Sequence, residues 1–378
     1  VTGARGARGD KELRVLFLPD FSASNPYQRR LADALGRLGV TVSMRRAPRR
    51  DPLPILRAWL LQRRPQIVHL HWTHNYLGMS AEGDGDGRAA GPSRLATARF
   101  VFEVRLLRLL GVRTVWTVHN LGHHEGSPAA AREASAHRAL VMASGAVICH
   151  CHAAEAAVAD SYGLPRRVRT KLRVIPHGNY IGAYGPPVER ADARRRLELP
   201  EDATVFLFLG AVRGYKGVAE LIGAFRSLAD PQARLVIAGK PHTAELAAEL
   251  EGAAAADSRI ELQLRFVPDA DVAVLLGAAD AVVAPFRAIL TSGSVILAMS
   301  YGRAVVAPAL GCLPEVVDAN GGVLYEARDP SGLAEALVKA ADSDLDAMGR
   351  HNLRAAQALD WMPIAAATKE LYMDIDVA

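Results

Sequence analysis

The residues with the most chemistry to offer lie in two short segments of the C-terminal half. The first is Gly210-Ala211-Val212-Arg213-Gly214-Tyr215-Lys216-Gly217, which reads as a strand end, a glycine-containing turn and the start of a helix. Such a turn presents backbone N–H groups and two cations to an anion at a helix N-terminus. Arg213 offers a forked grip on phosphate, and Lys216 a point charge. The second is Ile289-Leu290-Thr291-Ser292-Gly293-Ser294, which opens a helix just after an apolar strand. Its hydroxyls and N–H groups suit a diphosphate. Each segment also has an explanation without a ligand: a basic turn in the first, a helix capped by Thr291 or Ser292 in the second. Two such junctions in one domain favour the diphosphate.

The N-terminal half supplies candidates for proton transfer. His119, His123, His124 and Glu125 follow a strand predicted over Thr114–Val118, and Asp20 ends the first strand. Imidazole and carboxylate groups at such strand ends can serve as a general base toward a bound substrate. His119 or Glu125 is the first choice and Asp20 the third, and each also reads as a polar loop residue. His69, His71 and His74 lie on and after another strand. With His119 and His123 they raise a second reading, a metal-dependent hydrolase. His69 and His71 share a strand face, yet no carboxylate or cysteine completes an ordered ligand motif.

These residues need elements to hold them, and both halves show the same grammar of short apolar strand followed by amphipathic helix. The first half predicts strands at Arg14–Leu18, Thr41–Met44, Ile67–His71, Thr114–His119 and Ala146–His150, with helices at Pro26–Leu38, Leu53–Arg63, Thr97–Leu110 and Ala129–Ala143. The second predicts strands at Val205–Gly210, Arg234–Ala238, Ile260–Leu264, Ala281–Ala284 and Ala304–Ala307. The helices between them are expected at Gly217–Leu228, Ala244–Ala255, Asp269–Ala279 and Ser292–Tyr301. Alternation of this kind argues for parallel sheets covered on both faces. The boundary falls near Gly185-Pro186-Pro187, before a charged helix at Ala191–Leu197. The tail from Met348 to Tyr372 is expected to be helical with a break at Pro363, and residues 81–93 to form a mobile loop. Two open α/β domains place their strand carboxyl ends across a cleft, where ligands bind.

Bulk properties narrow the class. The 378 residues allow two cores, half are apolar, and 22% are charged. No run approaches the length of a membrane span, and Val1 to Asp10 lack the apolar core of a secretory signal. Cys149, Cys151 and Cys312 are too few for a disulfide framework, so Cys149 and Cys151 read as small core residues and a reducing, cytoplasmic setting fits. The net charge of +5 hides an asymmetry. Residues 1–185 hold about 27 Lys/Arg against about 13 Asp/Glu, roughly +14, and the remainder roughly −9. Much of the excess is Arg45, Arg46, Arg49, Arg50, Arg57, Arg63 and Arg64, interleaved with Ile55, Leu56, Trp59, Leu60 and Leu61. That segment either lies on an anionic membrane surface or is an ordinary arginine-rich face. Nucleic-acid binding lacks a recognisable motif.

Taken together, "GAVRGYKGVAELIGAF", "AADAVVAPF", "TSGSVILAMSYGRAVVAP" and "GCLPEVV" resemble the donor domain of the group 1 (family 4-like) glycosyltransferases. "RVIPHGNY" and "PDFSASNPYQRRLADAL" resemble the same group, so the likeness runs from Val15 to about Tyr372. It implies a GT-B fold: two Rossmann-like domains, an acceptor domain over 1–185 and a donor domain over 186–355. A C-terminal helix within 356–378 would cross back to the first. It also implies that Arg213 and Lys216 hold the diphosphate of a nucleotide sugar, that Thr291 to Ser294 cap its phosphates, and that Gly210 and Glu315 lie near the donor. Asn25, Tyr27 and His124 would stand on the acceptor side. Neither a metal nor a further cofactor is expected, the nucleotide sugar being a co-substrate. One departure is visible. Where retaining members carry two glutamates eight positions apart, this chain has Ile289 and Leu297. "RGYKG" with "TSGS" instead resembles bacterial GDP-mannose-dependent β-mannosyltransferase-like members, and inversion is the favoured outcome. The acceptor would be lipid-linked or a polysaccharide precursor at the inner face of the cell membrane. The missing glutamates keep open a third reading, a non-catalytic nucleotide-sugar-binding subunit.

Overall fold

Apolar runs such as Val15–Leu18 and Val205–Leu209 have both faces to bury, and they become the inner strands of two parallel sheets. The structure, a computed structural model, describes residues 12–46, 51–79, 92–122 and 128–375. The expected loop at 81–93 and the first ten residues fall almost wholly outside the described residues.

The N-terminal lobe runs β1 (Leu13–Leu18), α1 (Pro26–Arg37), β2 (Val40–Met44), α2 (Pro54–Leu61), β3 (Ile67–Leu70), α3 (Arg94–Leu109) and β4 (Arg113–Thr117). It continues through α4 (Pro128–Ala143), β5 (Ala146–Cys149), α5 (His152–Ser161), the single turn α6 (Arg166–Arg169) and β6 (Leu172–Val174). The strands are all parallel, in the order β2-β1-β3-β4-β5-β6. Side chains alternate across the sheet. Leu16, Val68 and Trp116 face α2 to α5, while Val15, Phe17, Val115 and Ile148 face α1.

The second lobe begins with α7 (Arg190–Arg196) and β7 (Val205–Leu209), followed by α8 (Val218–Arg226), β8 (Arg234–Ala238), α9 (Ala244–Ala254) and β9 (Ile260–Gln263). It then runs α10 (Asp269–Ala278), β10 (Ala281–Val283), α11 (Gly293–Ser300), β11 (Ala304–Pro308), the short α12 (Leu313–Val316) and β12 (Gly322–Tyr325). The helices α13 (Gly332–Ala341), α14 (Leu345–Ala358) and α15 (Trp361–Asp374) complete the chain. Sheet order is β12-β11-β10-β7-β8-β9, again parallel.

Both sheets therefore reverse their winding direction once, between β1 and β3 in the first lobe and between β7 and β10 in the second. Ligands of open α/β sheets sit outside the carboxyl ends at such a switch. The sequence reading omits β6, β12, α5, α13 and the single-turn helices α6 and α12. The two strands are three and four residues long, too short to show a period, and α5 is rich in alanine. The helical break expected at Pro363 lies earlier, at Leu359-Asp360; Asp360 caps α15, and Pro363 sits in its first turn, where no N–H is missed.

Helix α15 lies against α1 beneath the first sheet, with Trp361, Ile364, Ala365 and Tyr372 in that core. The chain thus crosses between lobes twice, and the crossings are tied together. Asn179 donates from its side chain to the Ala356 carbonyl at 2.9 Å and from its backbone to Leu359, while the Trp361 indole donates to the Asn179 carbonyl at 2.7 Å. A methyl group at Gly178 would meet the Trp361 ring at 2.4 Å, so the two crossings touch in van der Waals contact.

One charge in the second lobe is fully enclosed. Arg194, wholly buried, pairs with Asp280 at 2.7 Å, and Asp280 also accepts from the Val205 amide and meets Arg190 at 2.9 Å. Removing one partner strands the other ion in a medium that cannot solvate it. Asp280→Ala is expected to cost about 3–5 kcal/mol, with a large part recovered by adding Arg194→Met. Urea denaturation checks both; a single variant as stable as the parent contradicts this account.

Candidate functional site

In the second lobe, the switch between β7 and β10 gathers both phosphate-binding candidates. The chain leaves β7 at Gly210, whose φ of +132° only glycine adopts readily, and a side chain there would press within 3.3 Å of the Lys216 ammonium. A single 3₁₀ turn, Gly214–Lys216, then leads through Gly217 into α8. Gly217 has φ +67° and approaches the Pro285 carbonyl so closely that a methyl group would fall 2.0 Å from its oxygen. This packing presses the basic turn against the loop that follows β10. Lys216 Nζ lies about 6 Å from the faces of Phe208 and Phe286. Burial, reinforced by the Arg213 charge, lowers its pKa to about 8. The site therefore holds a poorly solvated ammonium next to a guanidinium, an arrangement that an anion would complement.

Past Phe286 the loop reaches α11. Ser292 caps it, accepting from the Val295 amide at 3.2 Å and lying 3.1 Å from the Ser294 hydroxyl. Thr291 Oγ1 is 3.5 Å from Cys312 Sγ. The capping explanation of Ser292 is thus realised, and the amides of the helix's first turn still point out along its axis. Gly293 brings that first turn against Tyr180, whose hydroxyl would be 3.2 Å from an added methyl group. Tyr180 in turn donates to Asn25 Oδ1 at 3.3 Å, so the helix tip of one lobe and the first helix of the other meet through one phenol.

The first lobe's carboxyl ends carry imidazoles. His71 follows β3, His119 follows Val118 after β4, His150 follows β5, and His177 comes after β6. Their rings surround Tyr27 at centroid distances of 4.8 to 5.8 Å, with Trp361 behind. Tyr27, expected on the acceptor side, is 2% exposed and belongs to this core. Asn25 is an N-cap, accepting from the Tyr27 amide at 2.9 Å. Asp20 is engaged within its own turn by the Ser22 amide and hydroxyl, at 2.9 and 2.6 Å. Glu125 and His124 lie outside the described residues, as does His123.

Burial, with mutual repulsion, holds His69 down to about 3, and burial chiefly lowers His150 to about 4 and His177 to about 3; His71 and His119 fall well below the usual imidazole range. All five are neutral at pH 7, and His119 has an acceptor lone pair to offer. His119 stacks on Trp72 at 4.2 Å and meets His71 at 3.3 Å through nitrogen. His69 is spanned by Tyr372 and Thr117 at 2.6 and 2.7 Å. His69, His71 and His119 stack on one another, and no group of three or more His, Cys, Asp or Glu among the described residues could hold a metal ion.

Several relevant residues carry no legible signal in the sequence reading. Phe21 and Trp72, both partly exposed, stand edge to face at 5.3 Å beside His119. Aromatic faces of this kind suit the C–H face of a sugar. His150 donates from Nδ1 to the Ile175 carbonyl at 3.0 Å and leaves a buried Nε2 without a partner. It borders a cavity of ≈ 440 Å³ between the lobes, lined by His150, His152 and His177 on one side and Thr291, Ser292 and Glu315 on the other.

At the edge of that cavity the partners of Glu315 are seen and one expectation is corrected. Glu315, expected near the donor, reaches the other lobe and accepts from the first amides of α5, His152 at 3.0 Å and Ala153 at 2.7 Å. Cys151 is not a free core residue: it forms a disulfide with Cys312 across 161 residues and between the lobes, a pairing that sequence separation conceals. Cys149 is a buried free thiol. The basic segment before β3 turns part of its apolar side chains inward, while Leu60 and Leu61 stay exposed. Ile55 and Trp59 are core residues, Arg57 pairs with Asp51, and Arg64 lies over Trp59. Arg49 and Arg50 lie outside the described residues. No helix among the described residues is long and apolar enough to cross a membrane.

Comparison with known proteins places this geometry. Residues 203–343 match the Glycosyl transferases group 1 family. The chain is 27% identical over 289 residues to a GDP-mannose:glycolipid 4-beta-D-mannosyltransferase of Xanthomonas campestris, covering 73% of this chain and 71% of that protein. It is 33% identical over 246 residues to a D-inositol 3-phosphate glycosyltransferase of Geodermatophilus obscurus, covering 60% of this chain and 53% of that one. The fold superposes on a sucrose-phosphate synthase from Thermosynechococcus elongatus with a TM-score of 0.73 at 21% identity, over 96% and 98% of the two chains. At that identity the likeness shows the fold alone. With its paired switch points, its cationic turn and the matched domain around both, the chain has the GT-B fold and carries a group 1 glycosyltransferase domain over residues 203–343, which supports a hexosyltransferase.

Proposed function

We propose that the protein transfers mannose from GDP-mannose to a hydroxyl of a lipid-linked or polysaccharide-precursor acceptor, with inversion and without a metal ion. The observation that carries the reading is the half-buried Lys216 ammonium beside Arg213, at the carboxyl end of β7 and across from the tip of α11. A diphosphate placed there gains two cations and the positive end of a helix. The same charges serve catalysis, because negative charge grows on the leaving diphosphate as the glycosidic bond breaks. That role is one a divalent cation would otherwise fill.

The donor assignment draws support from the mannosyltransferase named in the Xanthomonas relative and from the "RGYKG" and "TSGS" variants. Inversion draws on Ile289 and Leu297, which stand where a pair of carboxylates would grip a retained sugar. In the proposed step the acceptor oxygen attacks the anomeric carbon and its proton passes to a base of the first lobe. The bond to the diphosphate then breaks with its electron pair, and GDP departs. His119 is the proposed base, neutral at pH 7 and beside the Phe21–Trp72 pair that would seat the acceptor. The reaction would run at the inner face of a cell membrane, where the acceptor is anchored.

Lys216→Ala should lower kcat/KM roughly 100-fold, the loss of about 3 kcal/mol of charge stabilisation. Thermal shifts separate the donors: GDP and GDP-mannose should raise the midpoint and UDP-glucose should not, and stabilisation by UDP alone would reassign the base. The pH dependence has a defined sign. Only the charged form of Lys216 attracts phosphate, and its pKa in the free protein is about 8. Affinity for GDP should therefore be flat below pH 7 and fall as pH rises through 8, with proton uptake on binding in calorimetry at pH 8 to 9. Pyrophosphate affinity that does not change across that range would remove Lys216 from the cradle.

A further inference from the structure

The exposed apolar surface of this protein is unevenly distributed. Ten large apolar residues are exposed among the described residues, and six of them lie on α2 and α3 or just beyond α3: Leu60, Leu61, Leu95, Phe102, Leu109 and Leu110. On α3 the spacing is regular. Leu95, Phe102 and Leu109 are seven residues apart, which is two helical turns, so they form one line along the outward face. They are 82%, 54% and 83% exposed, and the line is about 21 Å long. The opposite face, with Phe100, Val104 and Leu107, fills the core. A helix needs one apolar face to fold against a sheet; α3 has two.

The charges along this second face are of one sign. Arg94, Arg105 and Arg108 are exposed on α3, and its single acid, Glu103, is buried inward, accepting from the Ile55 and Leu56 amides at the start of α2. Arg108 also reaches the Met142 carbonyl on α4. Between α3 and α4 runs a groove of ≈ 570 Å³ in which Arg105, Arg108 and Arg138 stand beside Val101, Leu109 and Met142. The density of positive charge is felt by Lys171, whose pKa is lowered by burial and then by Arg108.

We propose that the outer face of α3, with the α3–α4 groove, is a docking surface for a bilayer carrying anionic lipid. The leucines and Phe102 enter the acyl boundary, and Arg105, Arg108 and Arg138 take lipid phosphates. This goes further than a lipid-linked acceptor, because it names the surface by which the whole enzyme meets the membrane. It also centres that surface on α3 rather than on the segment around Trp59, where Ile55 and Trp59 are in the core and only Leu60 and Leu61 are exposed. A bilayer is favoured over an acidic protein by the shape of the patch. Single apolar tips in a straight line, separated by arginines, match a flat boundary between hydrocarbon and phosphate. A protein interface concentrates its apolar contact at a centre ringed by polar groups.

Vesicle co-sedimentation of the full chain tests the proposal. Vesicles with about 30% phosphatidylglycerol should bind at least tenfold more protein than pure phosphatidylcholine, and raising NaCl from about 50 to about 500 mM should weaken that binding. The pair Phe102→Ser with Leu109→Ser should lose most partitioning at low salt. Arg105→Gln with Arg108→Gln should abolish the preference for anionic vesicles while keeping weak binding to neutral ones. Thermal stabilisation by GDP should be unchanged in all of them, which separates failure of this surface from failure of the donor assignment. Equal binding to both vesicle types overturns the proposal, as do serine variants that partition like the parent. So does a wild-type dimer, seen by sedimentation velocity, that Phe102→Ser disperses without any effect on vesicle binding.

Discussion

Asn179 and Trp361 hold together the two places where the chain passes between lobes, and the working geometry of the protein depends on that knot. One crossing carries the chain out of β6 toward the second lobe, and the other returns it in α15 to the underside of the first sheet. Both are irregular backbone at the join, where carbonyls and amides need partners. Asn179 supplies them from the first crossing to the second, and the Trp361 indole answers in the opposite direction. The Tyr180 amide then bonds to Ser300 at 2.9 Å, so the end of α11 is tied to the same knot. The carboxyl ends of both sheets face each other because these few bonds leave the lobes little choice.

Around that knot the two lobes contribute opposite electrostatic surroundings. The second offers the Lys216 ammonium and the Arg213 guanidinium at the tip of its sheet. The first offers five imidazoles that burial keeps neutral. The combination suits a reaction in which charge must develop on one substrate while a proton leaves the other. Protonated histidines in the first lobe would instead compete with Lys216 and Arg213 for the diphosphate. The low imidazole pKa values thus help to keep the anion on one side of the cleft.

Much of this was legible in the residues. Continuous apolar strands flanked by helices are the mark of buried parallel sheets, and the basic turn after Leu209 stands out by composition alone. Order and spacing of "GYKG", "TSGS" and "LPEVV" carried the family. What stayed hidden depends on long-range contact. Tyr27 looked like a polar aromatic near a substrate, and only the packing of four histidines and Trp361 around it turns it into core. Glu315 sits in a motif loop, yet its carboxylate is directed at a helix in the other lobe. The arginines around Trp59 leave its segment open between a membrane surface and an ordinary arginine-rich face, and only the structure shows its indole bonding the Pro65 carbonyl inside the core at 3.0 Å. The apolar line on α3 was overlooked because it is superimposed on an equally regular buried line.

The bond between Cys151 and Cys312, with the Glu315 cap beside it, fixes the lobes at a second place, on the far side of the interlobe cavity from the Asn179 knot. With the Tyr180–Asn25 contact, the lobes are tied at three separate places, and the disulfide is the covalent one. Thiol exchange at a single pair of sulfurs would remove that tie and leave the cleft held by hydrogen bonds and packing alone.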